Sequence, residues 1–226
     1  MVNSRFLSTL SLLAILCAAL LIGGCGEDSG SDEPEEAFEP QASLTAIGGT
    51  TRTEKPELVM RVEARHGDEN IRSAAVLLPS AVLVDQAALG NICSERELVE
   101  KDCKGRKRMG AARVLSPAYD GPLEGPVYAV SGSGGLPRLA YVLSGPADVL
   151  LRGRIVVKNA RIQAGLEDVP DTPLKTFEFS IDGGKPGYLV LSQDICSRPV
   201  TADASFTSQG GQDFEQRIPL EADCKS

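Results

Sequence analysis

The chain has 226 residues, which suits one domain or two small ones. Aromatic residues make up 4% and Trp is absent, so aliphatic side chains must build the core; 23 Gly and 14 Pro favour turns and short strands over long helices. The net charge of −8 is concentrated in residues 25–40, which hold seven acids and no base, whereas 41–226 carries 22 basic and 24 acidic residues. A nearly neutral folded part excludes the basic surface of a nucleic-acid-binding domain, so no nucleic-acid partner is expected.

The N-terminus has the three parts of a secretory signal peptide. Arg5 supplies a positive start, residues 6–22 form an apolar run, and two glycines precede Cys25. With Ile22 three positions before the cysteine, this segment resembles the lipobox of bacterial lipoproteins. The resemblance implies transfer of a diacylglyceryl group to the Cys25 thiol and cleavage before it, which makes the membrane a partner through that lipid.

An uncleaved transmembrane helix is the alternative, because the run 6–22 approaches the roughly 20 residues that a spanning helix needs. The abrupt change to polar residues after Cys25 favours the lipoprotein. Residues 1–24 are therefore predicted to be a lipoprotein signal peptide, which would also remove Cys17. The mature protein is expected to be extracytoplasmic and lipid-anchored to the cell membrane, since two acyl chains suffice for stable anchoring.

Residues 25–42 are predicted to be an acidic disordered tether. They are rich in Gly, Ser, Pro and acids and contain one aromatic residue, Phe38, so they cannot bury enough apolar area to offset the entropy of ordering. A flexible coil of about 17 residues spans roughly 20–25 Å. Residues 43–226 are expected to form the folded domain.

Period-two alternation between turn signals recurs along 43–226 and predicts an all-β domain. Leu58, Met60 and Val62 form one face of a strand, and the polar run 66–70 is expected to turn it into a hairpin with 71–78. Asp182-Gly183-Gly184 predicts a second hairpin turn. Further strands are predicted over 111–115, 126–130, 139–143, 149–157, 161–166, 176–181, 188–191, 202–207 and 214–220. Many short, evenly spaced strands are typical of a sandwich or a barrel; we expect a disulfide-stapled β-sandwich-like domain of short antiparallel strands.

One short helix is predicted near residues 95–100. Ser94 and Glu97 fit a capping box and are followed by apolar residues. Residues 85–89 are expected to form another helical turn.

Four cysteines remain after Cys17 and Cys25 are set aside, and an even number in an exported domain implies two disulfides. Three pairings are possible, and proximity in sequence favours Cys93–Cys103 and Cys196–Cys224. A straight helix over 94–102 would hold the first pair about 13–15 Å apart, whereas a disulfide needs Cα atoms within about 7 Å. Either the helix stops near Glu100, so that residues 101–102 turn back, or this pairing is wrong. Zinc is the competing interpretation, but the chain has no pair of close CxxC spacings.

Several segments together resemble a family of exported, β-rich bacterial surface proteins of uncharacterised function, often found as repeated modules in large surface proteins. The resemblance covers about residues 57–224 and rests on Leu78-Pro79, Cys93, Cys103, GPLEGPVY (121–128), LSGP (143–146), PDTPLKTFEFSIDGG (170–184), Cys196 and Cys224. The chain departs from the family at 104–108, where a basic cluster replaces neutral residues. The resemblance implies an extracellular β module and supplies no activity.

No catalytic residue, metal ligand or cofactor site is predicted. His66 is the only histidine and lies in a predicted turn, so a Ser-His-Asp triad would depend on it alone. Glu167, Asp168 and Asp171 could suggest paired catalytic carboxylates or weak calcium binding, but the prolines around them favour a turn. The four tyrosines (119, 128, 141 and 188) could stack on sugars, although core positions are the default interpretation.

A basic patch is predicted near the short helix and could contact an anionic envelope component. It comprises Lys101, Lys104, Arg106, Lys107 and Arg108, with Arg113, Arg152 and Arg154 as possible extensions. A solvated loop without a partner is the alternative interpretation.

These features favour a membrane-anchored lipoprotein with a structural or interaction role at the cell envelope rather than an enzyme, with its protein or envelope-polymer partner unknown. The alternative is a ligand-binding lipoprotein for a lipid, a sugar or an anionic envelope component. A hydrolase with an unrecognised site is a third hypothesis. A large apolar cavity would favour the second hypothesis, and convergent carboxylates in a cleft would favour the third.

Overall fold

The computed structural model describes residues 37–100, 102–103, 108–132, 136–185 and 187–224, without the side chain of Asn91. The predicted signal peptide and Cys25 lie outside the described residues. In the described part of the chain, no helix has the length and apolar character needed to cross a membrane.

The described residues form an all-β fold with thirteen strands. These are β1 Gln41–Ile47, β2 Glu57–Glu63, β3 Ile71–Leu77, β4 Val82–Val84, β5 Gly110–Leu115, β6 Leu123–Val130, β7 Arg138–Leu143, β8 Val149–Lys158, β9 Arg161–Leu166, β10 Thr176–Ile181, β11 Leu189–Leu191, β12 Thr201–Ser208 and β13 Asp213–Ala222. Every strand predicted from the sequence is present. β1 and β4 were not predicted.

Eleven strands form one sheet that closes into a barrel in the order β1-β13-β12-β3-β9-β8-β7-β6-β5-β10-β2, with β2 pairing back to β1. All neighbours are antiparallel except β1 and β13, which are parallel. The expected β-sandwich is therefore wrong. Alternation shows which face of a strand is buried, but it is the same in a sandwich and in a barrel. The strand that closes the barrel, β1, is one of the two that the sequence did not predict.

Both predicted hairpins are also wrong. β2 pairs with β1 and β10, whereas β3 pairs with β12 and β9, so the 66–70 turn joins strands that are not neighbours. β10 pairs with β2 and β5, so the turn after it does not make a hairpin with β11. In each case the strand after the turn pairs with strands that are distant in sequence, β3 with β12 and β9 and β11 with β4, because long-range packing overrides the turn signal.

The ordered domain begins earlier than the predicted boundary at residue 43. Phe38 is 3% exposed, Pro40 is buried, and β1 already starts at Gln41. The prediction that residues 37–42 belong to a disordered tether is therefore wrong, because the apolar side chain of Phe38 packs into the main core.

The two ends of the barrel differ. One end, the closed end, is covered by a two-stranded sheet of β4 and β11 and the segments around it. Ala81, Val82 and Tyr188 in these segments are each 1% exposed and join the barrel core. Asp85 forms an ion pair with Lys55 and also caps a 3₁₀ helix, Gln86–Asn91. This helix confirms the predicted helical turn.

The opposite end, the mouth, is formed by the five loops 64–70, 116–122, 144–148, 167–175 and 209–212. Residues 37–40 also lie there, because β1 runs from the mouth to the closed end and Phe38 N–H donates to Gln212 Oε1 in a mouth loop (3.3 Å).

The predicted short helix is α1, Glu95–Val99, with the Ser94–Glu97 capping box formed. It ends at Glu100, as the disulfide required, and Cys93 and Cys103 are bonded with Cα atoms 5.7 Å apart. Cys196 and Cys224 form the second disulfide, so both expected pairings are present. Leu98 packs with Tyr128, Val130 and Ala140 on the outside of β6 and β7, which explains why β6 is apolar on both faces.

Candidate functional site: an apolar cavity at the barrel mouth

A cavity of about 110 Å³ lies inside the barrel at the mouth. Inward-facing side chains from the strands form its wall: Val62 (β2), Ala74 (β3), Val114 (β5), Leu151 (β8), Leu166 (β9) and Phe177 (β10). Ser116, Tyr119 and, from the loop 167–175, Val169, Pro170, Thr172, Pro173 and Leu174 also line it. The described lining includes no charged residue, and its polar side-chain groups are the hydroxyls of Ser116, Tyr119 and Thr172.

Barrel size explains why open space remains at this end. Side chains just fill the interior of a barrel of about eight strands, and the diameter grows with strand number. This barrel has eleven strands, and the β4–β11 sheet closes the other end only. Several mouth residues that point inward, including Ala74, Val114, Leu151 and Phe177, are therefore half-buried rather than buried.

An aromatic cluster forms the floor of the cavity. The ring of Tyr141 makes edge contacts with Phe177 and Phe179, at centroid distances of 5.7 and 5.8 Å. Gly153 on the neighbouring strand leaves room for this ring, because a Cβ there would lie 3.2 Å from Tyr141 Cε2. A smaller cavity of about 30 Å³ beside the cluster shares Val62 with the wall of the mouth cavity.

The Tyr141 hydroxyl makes no hydrogen bond to any residue that the structure describes, although the side chain is 2% exposed and lines the smaller cavity. Burial raises the pKa of Tyr141, so the phenol stays protonated.

The rim of the mouth is acidic. The five mouth loops hold seven acidic and two basic residues, and with Arg154, which pairs with Glu167 from β8, the net charge is −4, whereas residues 41–226 as a whole carry −2. The carboxylates of Asp120 and Asp168 are exposed and make no hydrogen bond or ion pair with the described residues. They directly adjoin the lining residues Tyr119 and Val169. An anionic ligand would therefore be repelled here.

A polar clasp of Arg65 and Asp68 fixes the point where residues 37–39 meet the barrel. Asp68 Oδ2 accepts from the Arg65 backbone N–H (2.8 Å), and Oδ1 accepts from the Glu39 N–H (3.1 Å) and from Arg65 Nη2 (3.1 Å). Arg65 also donates to Glu39 (2.9 Å) and to the Ala37 carbonyl. Burial opposes ionisation of Asp68, but these hydrogen bonds outweigh it and hold the pKa of the carboxyl below its usual range.

The predicted basic patch is largely untested, because Lys101, Lys104, Arg106 and Lys107 lie outside the described residues. Arg108 is described and forms an ion pair with Asp182 (3.3 Å). The possible extensions are also paired: Arg113 with Glu124 (3.0 Å), Arg152 with Glu95 (3.5 Å) and Arg154 with Glu167. These pairs neutralise much of the positive charge that the sequence suggested.

The other sequence candidates lie in the mouth loops or in the core. His66 is exposed in a turn, as expected, and Asp168 adopts a left-handed backbone conformation (φ 54°) in an exposed loop. Asp171 accepts from Asn70 (2.7 Å). Within the described residues, no group of three or more His, Cys, Asp or Glu side chains could hold a metal ion. Tyr128, Tyr141 and Tyr188 are buried, and Tyr119 lines the cavity.

Sequence reasoning missed the cavity itself. Its wall comes from strands that are distant in sequence, so no local motif marks it. Larger depressions exist on the outer wall, and one of them has a volume of about 610 Å³. Its charged residues include Arg113, Glu124 and Glu178, and these pair with one another or with Arg61. The mouth therefore remains the better candidate.

Comparison with known proteins shows no family membership. No family model matches the chain, and no curated protein matches it. A crystal structure of a DUF4466 family protein from Parabacteroides merdae ATCC 43184 is weakly similar, with 10% sequence identity and a TM-score of 0.33. The match covers 81% of this chain and 45% of that protein, so the chain spans less than half of its length.

Proposed function

We propose that this chain is an extracytoplasmic, lipid-anchored protein that binds a small apolar ligand in the mouth of its barrel. The observation that carries the proposal is the apolar cavity of about 110 Å³ at the mouth. Mouths of β-barrels are frequent sites of small-molecule binding. The cavity favours the ligand-binding hypothesis over a purely structural role at the envelope.

The chemistry of the lining supports binding rather than catalysis. The described lining residues provide hydroxyl groups but no carboxylate or imidazole, the groups that most often serve as general acids and bases. An apolar wall and floor would bind a ligand by removing its apolar surface from water, at about 25 cal/mol per Å².

The proposed location depends on the N-terminal sequence and on the disulfides. The segment before Cys25 resembles a lipobox, and two disulfides are favoured in compartments outside the cytoplasm. Mass spectrometry of the membrane-extracted protein tests this location. A mature chain that starts at a diacylated Cys25 is expected, and an unmodified chain that starts at Met1 would overturn the anchor.

Ligand binding can be tested by photo-crosslinking of the full chain in neutral phosphatidylcholine nanodiscs. The probe is a neutral octyl alcohol that carries a diazirine at the end of its chain, and peptide mass spectrometry locates the label. Labelling is expected in the mouth segments 116–122 and 169–174. If the mouth is labelled no more than the outer wall, the binding proposal is wrong.

Ala74→Leu is the variant that tests the site, because Ala74 lines both cavities and a larger side chain fills them. Ser73→Leu is the matched control, since Ser73 is the preceding residue and lines a depression on the outer wall but neither cavity. The first change should reduce mouth labelling severalfold and the second should not. Val149→Phe blocks the same cavity from another strand, and serves if Ala74→Leu proves unstable.

A further inference from the structure

We propose that the ligand is a single-chain cationic amphiphile, with its apolar end in the mouth cavity and an ammonium or guanidinium group at the acidic rim. This inference rests on the proposed function and specifies the ligand of the same site. It combines two independent features of the mouth, the apolar cavity and the charge of the surrounding loops.

The volume of the cavity limits how much of the ligand can enter. An apolar cavity of about 150 Å³ accommodates a benzene molecule, and the mouth cavity has about 110 Å³. The aromatic cluster around Tyr141 closes its floor. The cavity is smaller than one that holds benzene, so it accommodates the last few carbons of an alkyl chain. The remainder of the ligand must pass between the mouth loops and lie at the rim.

The negative charge of the rim favours a ligand whose outer part carries a positive charge. Asp120 and Asp168 are exposed, lie beside cavity-lining residues and have no cation partner among the described residues. Asp171 adjoins two further lining residues of the same loop, and its described polar partner is the amide of Asn70, which leaves its charge uncompensated. A cationic group at the end of an inserted chain would neutralise these carboxylates, whereas an anionic group would be repelled.

Electrostatic selection at exposed carboxylates should depend on salt. The Debye length is about 8 Å at physiological ionic strength and about 3 Å at 1 M salt. The preference for a cation should therefore be large at low salt and small at high salt, while the contribution of the apolar cavity persists. This dependence separates rim selection from apolar binding.

Three diazirine probes with the same octyl chain and different head groups test the proposal on the full chain in neutral phosphatidylcholine nanodiscs. The head groups are trimethylammonium, hydroxyl and carboxylate. At about 20 mM salt, we expect the cationic probe to label the mouth segments at least about threefold more than the neutral probe, and the anionic probe to label them least. At about 0.5 M salt, the three should converge.

The variant Asp120→Asn/Asp168→Asn tests the rim directly, and asparagine also tolerates the left-handed backbone at position 168. Glu221→Gln/Asp223→Asn is the matched control, because it makes the same change in charge at the closed end. The rim variant should lose most of the cation preference and the control should keep it.

The outcomes distinguish this proposal from the proposed function. Equal labelling of the mouth by all three probes, or a cation preference that the rim variant retains, would overturn the cationic ligand and leave apolar binding intact. An absence of mouth labelling by every probe would overturn both.

Discussion

Replacement of Phe38 by alanine tests whether residues 37–40 belong to the fold. Phe38 is 3% exposed and packs in the main core, although it lies in a segment whose composition predicts disorder. We expect Phe38→Ala to lower the free energy of unfolding by about 3 kcal/mol. This is the lower end of the range of about 3–5 kcal/mol for truncation of a buried phenylalanine, because a segment before the first strand can rearrange to fill part of the space.

The neighbouring change Glu39→Ala is the matched control. Glu39 is half-buried, and its side chain forms an ion pair with Arg65 near the surface (2.9 Å). Exposed pairs of this kind contribute less than about 1 kcal/mol. The comparison therefore separates apolar burial by the segment from its surface charge.

Equilibrium unfolding in urea measures both effects. With a slope of about 2 kcal/mol per M urea, the loss in Phe38→Ala corresponds to a midpoint lower by about 1.5 M. Glu39→Ala should shift the midpoint by less than about 0.5 M. If the two variants have the same midpoint within error, residues 37–40 are not packed in the core and the reasoning is wrong.

Three further predictions concern the clasp, one disulfide and the floor of the cavity. Because the pKa of Asp68 is lowered in the folded state, its contribution is complete above the pKa of an unfolded aspartate and is lost as pH falls below about 4. Asp68→Asn should therefore flatten the acid side of the stability profile in urea titrations, and an unchanged slope would contradict the clasp. Cys196→Ser/Cys224→Ser opens a loop of 28 residues and should cost about 3.6 kcal/mol by denaturant unfolding; a loss below about 1 kcal/mol would mean that the bond adds little. Tyr141→Phe removes a hydroxyl that has no described partner, so the free energy of unfolding, measured by thermal denaturation, should stay equal or rise. A decrease of this free energy by more than about 1 kcal/mol would reveal a hydrogen bond to this hydroxyl.

Local features of the fold could be predicted because neighbouring residues determine them. The alternation of Leu58, Met60 and Val62 identified the buried face of β2, and these residues are 2 to 5% exposed. The Ser94–Glu97 capping box identified the start of α1, because the two side chains satisfy backbone groups within one turn. Proximity along the chain identified the disulfide partners, because each pair is separated by only 10 or 28 positions in the sequence.

The candidate site was much less accessible to prediction. The loop around Asp168 and Asp171 was recognised as a turn, but nothing in its sequence indicated that it borders a cavity. Val62, Val114 and Leu166 were expected on strands, and each is unremarkable as a core residue. They line one cavity because β2, β5 and β9 contribute to the same end of the barrel.

The sequence by itself determined eleven of the thirteen described strands, the disulfide partners and the acidic character of the N-terminal segment, since each depends on residues close together in the chain. The tertiary structure decided the strand order, the burial of Phe38, the closure of the barrel and the cavity at its mouth. Closure depends on the parallel pairing of β1 with β13, whose partners Leu44 and Leu220 lie at opposite ends of the domain sequence. Such a contact leaves no local pattern, because a strand's alternation specifies which side is buried and not which strand lies beside it.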